Sequence, residues 1–376
     1  MSTAINVRSP FIVTIDEVGQ TNSKIELRFK RLSDVAFPSD PDYTLSKNIP
    51  ASNLTETNYN IAPFCREYIS HLSPRLSWTN YGVSATFEDT VETEYVQVLI
   101  YTYSNGVLLD ANIQYTCFDG FGYYADGTNP SYMTDTDRDG GVVMMDEGTY
   151  YYHLACTNPT SAPLTNTDLH PQYITVMPGE DWDVEYVNLV TMSGGVAIDL
   201  ASVENTPIDV TSVYLNNFDK GYRVQFKNKL GSAVWTGYFR PLTESKYDVI
   251  PVDFINKYGA WQRTFMFKAS NDYLEVQTTD YNLFQSDLTD YDIKEGQIRT
   301  FNVNGKESIK CNTGWVGQDY NDNTLKHLML SERILVGNKP ARMKTKSVEL
   351  QKHLNNKTIN YSIEFDYSFE TINSIV

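Results

Sequence analysis

Hydrophobic and polar residues alternate along much of the chain, the period of strands that bury one face. Lys24-Ile25-Glu26-Leu27-Arg28-Phe29-Lys30 alternates strictly and places Ile25, Leu27 and Phe29 on one side. Near the end, Ile363, Phe365, Tyr367 and Phe369 alternate with Ser362, Glu364, Asp366, Ser368 and Glu370, the clearest strand in the sequence. Tyr95 to Tyr103 reads as a strand running into Ser104-Asn105-Gly106-Val107, an Asn-Gly hairpin turn. Ala111 to Phe118 and Tyr150 to Leu154 read as further strands, and Ile298 to Val303 and Ser308 to Cys311 flank a second predicted turn at Asn304-Gly305. The period shifts towards 3.6 at Asn60. Asn60 can cap a helix, Pro63 falls in the tolerated first turn, and Ile61, Phe64, Cys65, Tyr68, Ile69 and Leu72 recur at helical spacing. A helix near 61–72 is predicted, stopped by Ser73-Pro74, with its apolar stripe used for core packing. Leu325 to Val336 fits a short helix after Asn323 or a strand.

One pattern recurs. Val224-Gln225-Phe226-Lys227-Asn228-Lys229-Leu230-Gly231 returns as Val252-Asp253-Phe254-Ile255-Asn256-Lys257-Tyr258-Gly259. Each copy reads as a strand entering a tight turn, with Gly supplying positive φ, followed by an aromatic return strand. Two copies fall short of the ~3 repeats of a solenoid and predict paired hairpins of one sheet. By contrast, Asp119 to Gly148 is a long turn-rich segment, far above the ~4–6-residue median for connections. Such length points to function, contact with a neighbour, or mobility.

Composition strengthens the β reading. Tyr, Phe and Trp number 27, 17 and 5, together 13% of the chain, and aromatic residues favour pleated, half-buried surfaces. The expected fold class is mainly β: several β-sandwich- or β-barrel-like modules with one or two short helices. At 376 residues the chain exceeds the ~250–300 at which single cores stop growing. The expected divisions are 1–81, with the helix; 82–180, with the long loop at 119–148; 181–280, with the duplicated hairpin; and 281–376.

Charge follows these divisions. The net charge is −17, yet residues 1–81 carry eight basic and eight acidic side chains. Residues 82–180 carry fourteen acidic side chains and one basic one, Arg138, while 181–376 carry 25 and 21. The middle piece is therefore a folded acidic module, since it also holds many Tyr, Val and Leu. Between Lys326 and Lys357, eight basic residues meet two acidic ones. The overall acid excess argues against a DNA-coating role, which needs Lys and Arg to neutralise phosphates. The opening residues lack an apolar signal core, so no secretory signal is expected.

Chemistry is sparse. Cys65, Cys117, Cys156 and Cys311 form no C-x-x-C pair, and are expected reduced and packed. There is no H-E-x-x-H and no G-x-S-x-G. Gly120-Phe121-Gly122-Tyr123-Tyr124-Ala125 has the letters of a dinucleotide fingerprint, but Asp126-Gly127-Thr128-Asn129-Pro130 stands where its helix must begin. Asp135-Thr136-Asp137-Arg138-Asp139-Gly140 has the order of a calcium loop, with Asp146 at the twelfth position. The candidate metal residues are therefore Asp135, Asp137, Asp139 and Asp146, for a structural Ca2+ pinning the long loop. The competing reading is a solvated acidic tip. The following Val142-Val143-Met144-Met145 reads as strand and excludes an EF-hand. No cofactor is required.

Several stretches together resemble a family. Ile5-Asn6-Val7-Arg8-Ser9-Pro10-Phe11, Ser23 to Leu27, the Asn60 to Ile69 helix, and Phe254-Ile255-Asn256-Lys257-Tyr258-Gly259-Ala260-Trp261-Gln262 carry the likeness, with Leu330 to Ile334 and the terminal strand from Ile359 to Phe369. They are similar to tail structural proteins of tailed phages of Bacteroidetes hosts, crAss-like phages included. The acidic segment 82–180 is matched least. The resemblance implies a virion component of the tail, a hub or ring subunit made in the host bacterial cytoplasm, with no catalytic residues. Its implied partners are copies of itself in a ring and other tail or portal-associated virion proteins, with double-stranded DNA passing unbound and no membrane anchor. An acidic wall would repel phosphates, so the middle module is expected to face the DNA path or solvent, and the basic C-terminal patch a neighbouring subunit. The alternative is a carbohydrate-binding or carbohydrate-cleaving tail module acting on host surface glycans, for which Asp181-Trp182-Asp183 offers an aromatic beside two carboxylates.

Overall fold

The computed structural model describes residues 3–31, 34–50, 56–69, 87–89, 95–130, 141–147, 151–155, 174–177, 183–188, 198–199, 208–210, 221–228, 230–242, 246–283, 293–294, 296–350 and 358–372. The chain is mainly β; among the described residues there are several sheets and two short α-helices. Among the described residues no helix is long and apolar enough to cross a membrane.

The first sheet is ordered Thr3–Asn6, Val107–Phe118, Tyr95–Ser104, Asn22–Arg31, Tyr43–Asn48. Its inward residues Ile25, Leu27, Phe29, Val96, Val98 and Ile100 are buried, as their alternation predicts. A two-stranded sheet of Ile12–Asp16 and Glu56–Asn60 closes over them through Val13, Ile15 and Tyr59. Asn105 (φ 49°) and Gly106 (φ 79°) form the predicted turn. Asn105 Oδ1 also accepts from Thr21 N at 2.8 Å and Thr21 Oγ1 at 2.9 Å, tying the turn to the neighbouring strand. The helix is shorter than its stripe predicts: Ala62–Glu67, with Ala62 and Cys65 buried. Asn60 works at its start as a bridge, its Oδ1 accepting from Ala62 N at 3.3 Å and from Phe11 N at 3.1 Å. Tyr68 lies past the helix end and stacks on Phe29, 4.2 Å between centroids; residues 70–74 lie outside the described residues.

A seven-stranded sheet follows the order Trp261–Met266, Ile250–Ile255, Ile334–Val336, Lys339–Met343, Thr358–Glu370, Ile298–Gly317, Asn271–Asn282. Its core holds Val252, Phe254, Cys311, Ile363 and Phe365. Here the turn expected at Asn304-Gly305 is corrected, because the strand Ile298–Gly317 continues through it, with a bulge at Asn302 (φ 53°) just before it. Gly305 serves a close approach instead: a Cβ there would sit 2.9 Å from Leu274 Cδ1 and 3.0 Å from Thr371 Oγ1. Asn304 Oδ1 accepts from Ile372 N at 3.0 Å, holding the last described residues. The hairpin that the sequence reading missed turns at Gly337 (φ 54°) and Asn338 (φ 68°). Leu325 to Val336 contains both of its candidate elements, the helix Lys326–Met329 and the strand Ile334–Val336.

The duplicated unit is two hairpins with one turn geometry. Asn228 N donates to Ser232 O and Asn256 N to Ala260 O, while Gly231 N and Gly259 N return to the respective Asn carbonyls. Both glycines have positive φ, 76° and 83°. However, the hairpins belong to different sheets. The second is in the seven-stranded sheet; the first, Tyr222–Lys227 with Ala233–Pro241, pairs with Tyr151–Leu154 and Asp183–Asn188. The expectation of one shared sheet fails because a local turn pattern carries no information on which edges pair. For the same reason the divisions at 81 and 280 cut across sheets: strands 95–118 pair with 3–31, and 250–266 lies in the sheet that contains 271–370. A further small sheet joins Phe87–Asp89, Ile208–Val210, Ile174–Met177 and Val142–Val143.

Candidate functional site

The two duplicated hairpins converge on one segment, Val142 to Glu147. Trp235, on the return strand of the first, donates from Nε1 to Met145 O at 3.0 Å. Asn256, in the turn of the second, donates from Nδ2 to Met144 O at 2.8 Å. The same Asn256 is fully buried, and its Oδ1 accepts from Tyr258 N and Ala260 N, so the turn is built around it. This presents Lys257 and Tyr258 to Asp146: Lys257 Nζ stands 2.6 Å and Tyr258 OH 2.7 Å from Asp146 Oδ1. Asp146 is thus the carboxylate of a folded polar cluster. Of the four residues read as metal ligands, Asp135, Asp137 and Asp139 lie outside the described residues. Asp146 is described, and its carboxylate faces an ammonium, a pairing that competes with cation ligation. Among the described residues no group of three or more His, Cys, Asp or Glu could hold a metal.

Around this cluster lies a cavity of about 390 Å3. Tyr123, Trp235, Tyr258 and Met145 form its apolar side; Asp146, Glu147, Lys257, Asp322, Asn323 and Lys326 supply its polar groups. Asp322 to Lys326 comes from a π-helical turn, Asn321–Leu325, that runs into the helix Lys326–Met329. The wider π turn is an uncommon conformation that recurs at functional sites. Here it exposes Asp322, which pairs with Lys326, and buries Asn323 and Leu325. His327 sits behind Asp146, its Nε2 3.4 Å from Asp146 Oδ2 and neither ring nitrogen hydrogen-bonded. Burial holds its pKa down at about 4, with Lys257 and Lys326 reinforcing the effect and Asp146 opposing it. Burial likewise pushes the Tyr123 phenol up to about 12, aided by Asp146, Asp322 and Asp126.

The Gly120-Phe121-Gly122 run acquires a role beside this cavity that has nothing to do with nucleotides. A Cβ on Gly120 would lie 2.3 Å from Lys257 O, and one on Gly259 2.8 Å from Gly120 N. Two backbones therefore touch, and Phe121 N donates to Lys257 O at 2.7 Å. After Gly122 only a single 3-10 turn, Tyr124–Asp126, follows. Next to this contact, Arg66 Nε meets the buried Asp119 carboxylate at 3.1 Å and its Nη2 meets Glu332. Arg8 meets Glu332 at 3.3 Å and Leu330 O at 3.1 Å. Four of the stretches on which the resemblance rests, around Arg8, Arg66, Lys257 and Glu332, thus meet at one junction.

The second feature is a surface. Asn271–Asn282 and the first half of Ile298–Gly317 form a two-stranded ribbon in which every residue of the outer strand is exposed. Leu274 is 59% and Ile298 66% exposed, and Tyr273, Val276, Phe301 and Val303 are also uncovered. Asn271–Asn282 is the edge of its sheet. Asp181 and Trp182, the proposed sugar contacts, lie outside the described residues.

Sequence reasoning missed the cavity because Lys257, Tyr258, Asp322 and Asn323 come from distant segments. The only signal was the repeated Asn-Lys-x-Gly turn, which places two of them. No protein-family model, curated protein or solved structure matches this chain.

Proposed function

We propose that this protein is a structural virion protein of a phage tail, a hub or ring subunit that assembles around the DNA-ejection channel. The observation that carries the assembly half of this reading is the ribbon. A two-stranded ribbon is marginal by itself in water, and a long apolar edge strand left open is a template for association. Here all twelve residues of Asn271–Asn282 are exposed; Tyr273, Leu274, Val276 and Tyr281, set among the carboxylates of Asp272, Glu275 and Asp280, are the apolar side chains a neighbouring subunit would cover. Repeated head-to-tail contacts of this kind close into a ring when their rotation allows. The tail assignment itself rests on the sequence resemblance, in which no catalytic residue is carried. In that setting the basic stretch from Lys339 to Lys357 serves a subunit contact, and the acidic segment faces the DNA path or solvent.

Electron microscopy of the purified full-length chain and of virions tests the proposal. Rings with this protein in the tail are the expected result; a chain that remains monomeric at all concentrations, with no tail density attributable to it, overturns it. Val276→Lys places a charge on the exposed edge, where it disfavours strand pairing. It should abolish the rings while leaving the melting temperature of the isolated subunit unchanged.

A further inference from the structure

We propose that the open end of the seven-stranded sheet is a groove that seats the basic Arg342 to Lys346 stretch of the next copy of this chain. The inference rests on the assembly reading above and names the two surfaces that meet. Successive side chains of a strand point to opposite faces, so the pairing register shows which face each one takes. Asp272 lies opposite Ile309, and Ile309 opposite Phe365, both core residues. Leu274 and Val276 follow Asp272 on that face, and Tyr367 follows Phe365. Past the core the face is open, and Leu274 and Val276 stay exposed. The result is a groove of about 350 Å3 whose lining includes Asp272, Leu274, Glu307, Lys339 and Tyr367.

Charge chooses the occupant. Lys339 Nζ lies over the Tyr367 and Phe369 rings, 5.1 and 5.8 Å from their centroids. Asp272 and Glu307 form no ion pair among the described residues, so the lining offers two carboxylates against one ammonium already in use. The stretch Arg342 to Lys346 carries three basic residues and no acidic one. Lys344 is held by Glu364 and Asp366, whereas Arg342 and Lys346 are exposed and form no ion pair among the described residues. Such complementarity selects partner and register, and the apolar floor of the groove suits the methylene stems of Arg and Lys. The register also decides the kind of contact. Ala341 pairs with Tyr367 and Arg342 with Asp366, so Ala341 shares the face of the groove and Arg342 points to the opposite one. A front-on-back contact leaves a groove free at one end and a basic stretch free at the other. It is therefore head-to-tail and repeats from copy to copy, closing into a ring where the rotation allows.

Charge swaps in the full-length chain, read by analytical ultracentrifugation and electron microscopy, test it. Glu307→Lys and Arg342→Glu should each weaken association about tenfold or more, because each sets like charges together. The double variant carries the reversed pair in every contact and should recover association to within a few-fold of the parent. Local damage to either surface would not be repaired by a second reversal on the other face. Should one of these variants fail to fold, Asp272→Lys combined with Lys346→Glu makes the same comparison. Single variants that assemble like the parent, or a double variant no better than the single ones, overturn the pairing of these two surfaces while the ring reading stands. A parent chain that stays monomeric overturns both.

Discussion

Asp253 and Arg263 face each other across the second duplicated hairpin, with side chains 0% and 2% exposed. Nε and Nη2 of Arg263 meet the two carboxylate oxygens at 2.6 and 2.8 Å, a bidentate pair. Removing one partner strands a charge in the interior. Arg263→Ala should therefore cost about 3–5 kcal/mol, read as a fall in the urea midpoint at unchanged slope. Gly259 is constrained twice, by its φ of 83° and by the Asp119–Gly120 backbone, which a Cβ would approach to under 3 Å. Gly259→Ala should destabilise by more than the ~1–2 kcal/mol of the left-handed conformation alone, whereas Gly231→Ala, with open space around it, should cost only that. Neither the buried pair nor this contact is legible in the sequence, where Asp253 and Arg263 look like ordinary surface charges of a hairpin. His327 adds a pH dependence. Its pKa of about 4 in the fold lies below the ordinary 6.5, so between these values the unfolded chain binds more protons. Stability present above pH 6.5 is then lost as pH falls towards 4, at up to ~1.4 kcal/mol per pH unit. His327→Phe should flatten that part of the stability–pH curve relative to the parent chain.

Among elements, the duplicated hairpins show what a local pattern can and cannot specify. The turn itself was readable: Asn to open it, Gly at positive φ to close it, aromatic residues on the return strand. Its two uses differ. Asn228 bonds within its own turn, to Leu230 N and Ser232 N, while Asn256 adds Met144 O and Gln262 Oε1. Asn256→Ala should accordingly destabilise more than Asn228→Ala, by about 1 kcal/mol or more for each extra buried bond. Chemical denaturation of the two variants side by side checks this. The Asn-Gly pairs make the same point. At 105–106 the letters make a turn; at 304–305 they sit inside a strand, because Leu274 and Thr371 need the space that a side chain would fill.

At the scale of the whole molecule, the acid excess of residues 82–180 is partly spent inside the fold. Asp119 pairs with Arg66 and Asp146 with Lys257, so acids from the middle of the chain neutralise bases from both ends. Likewise Lys344 reaches Glu364 and Asp366, and Lys339 lies over the Tyr367 and Phe369 rings. Part of the basic stretch is therefore occupied within its own sheet. Arg342 and Lys346 remain exposed at its surface. If that stretch meets a neighbour, Arg342→Glu should weaken assembly in sedimentation more strongly than a charge reversal at Lys47, whose ammonium is already bonded to Asn58 O of the two-stranded sheet packed beside its own.

The sequence alone determined the fold class, the main strands and the turns at Asn105-Gly106 and in both duplicated hairpins. Alternation and positive-φ residues act over a few positions, and burial of one face follows from them. Tertiary structure decided which strands share a sheet, because hydrogen-bonded edges from residues far apart in the chain compete for one another. It also decided that Gly120 and Gly259 touch, and that Asp146 meets Lys257, Tyr258 and His327. These groups converge from segments more than a hundred residues apart, and only the packed backbone brings them within hydrogen-bond reach.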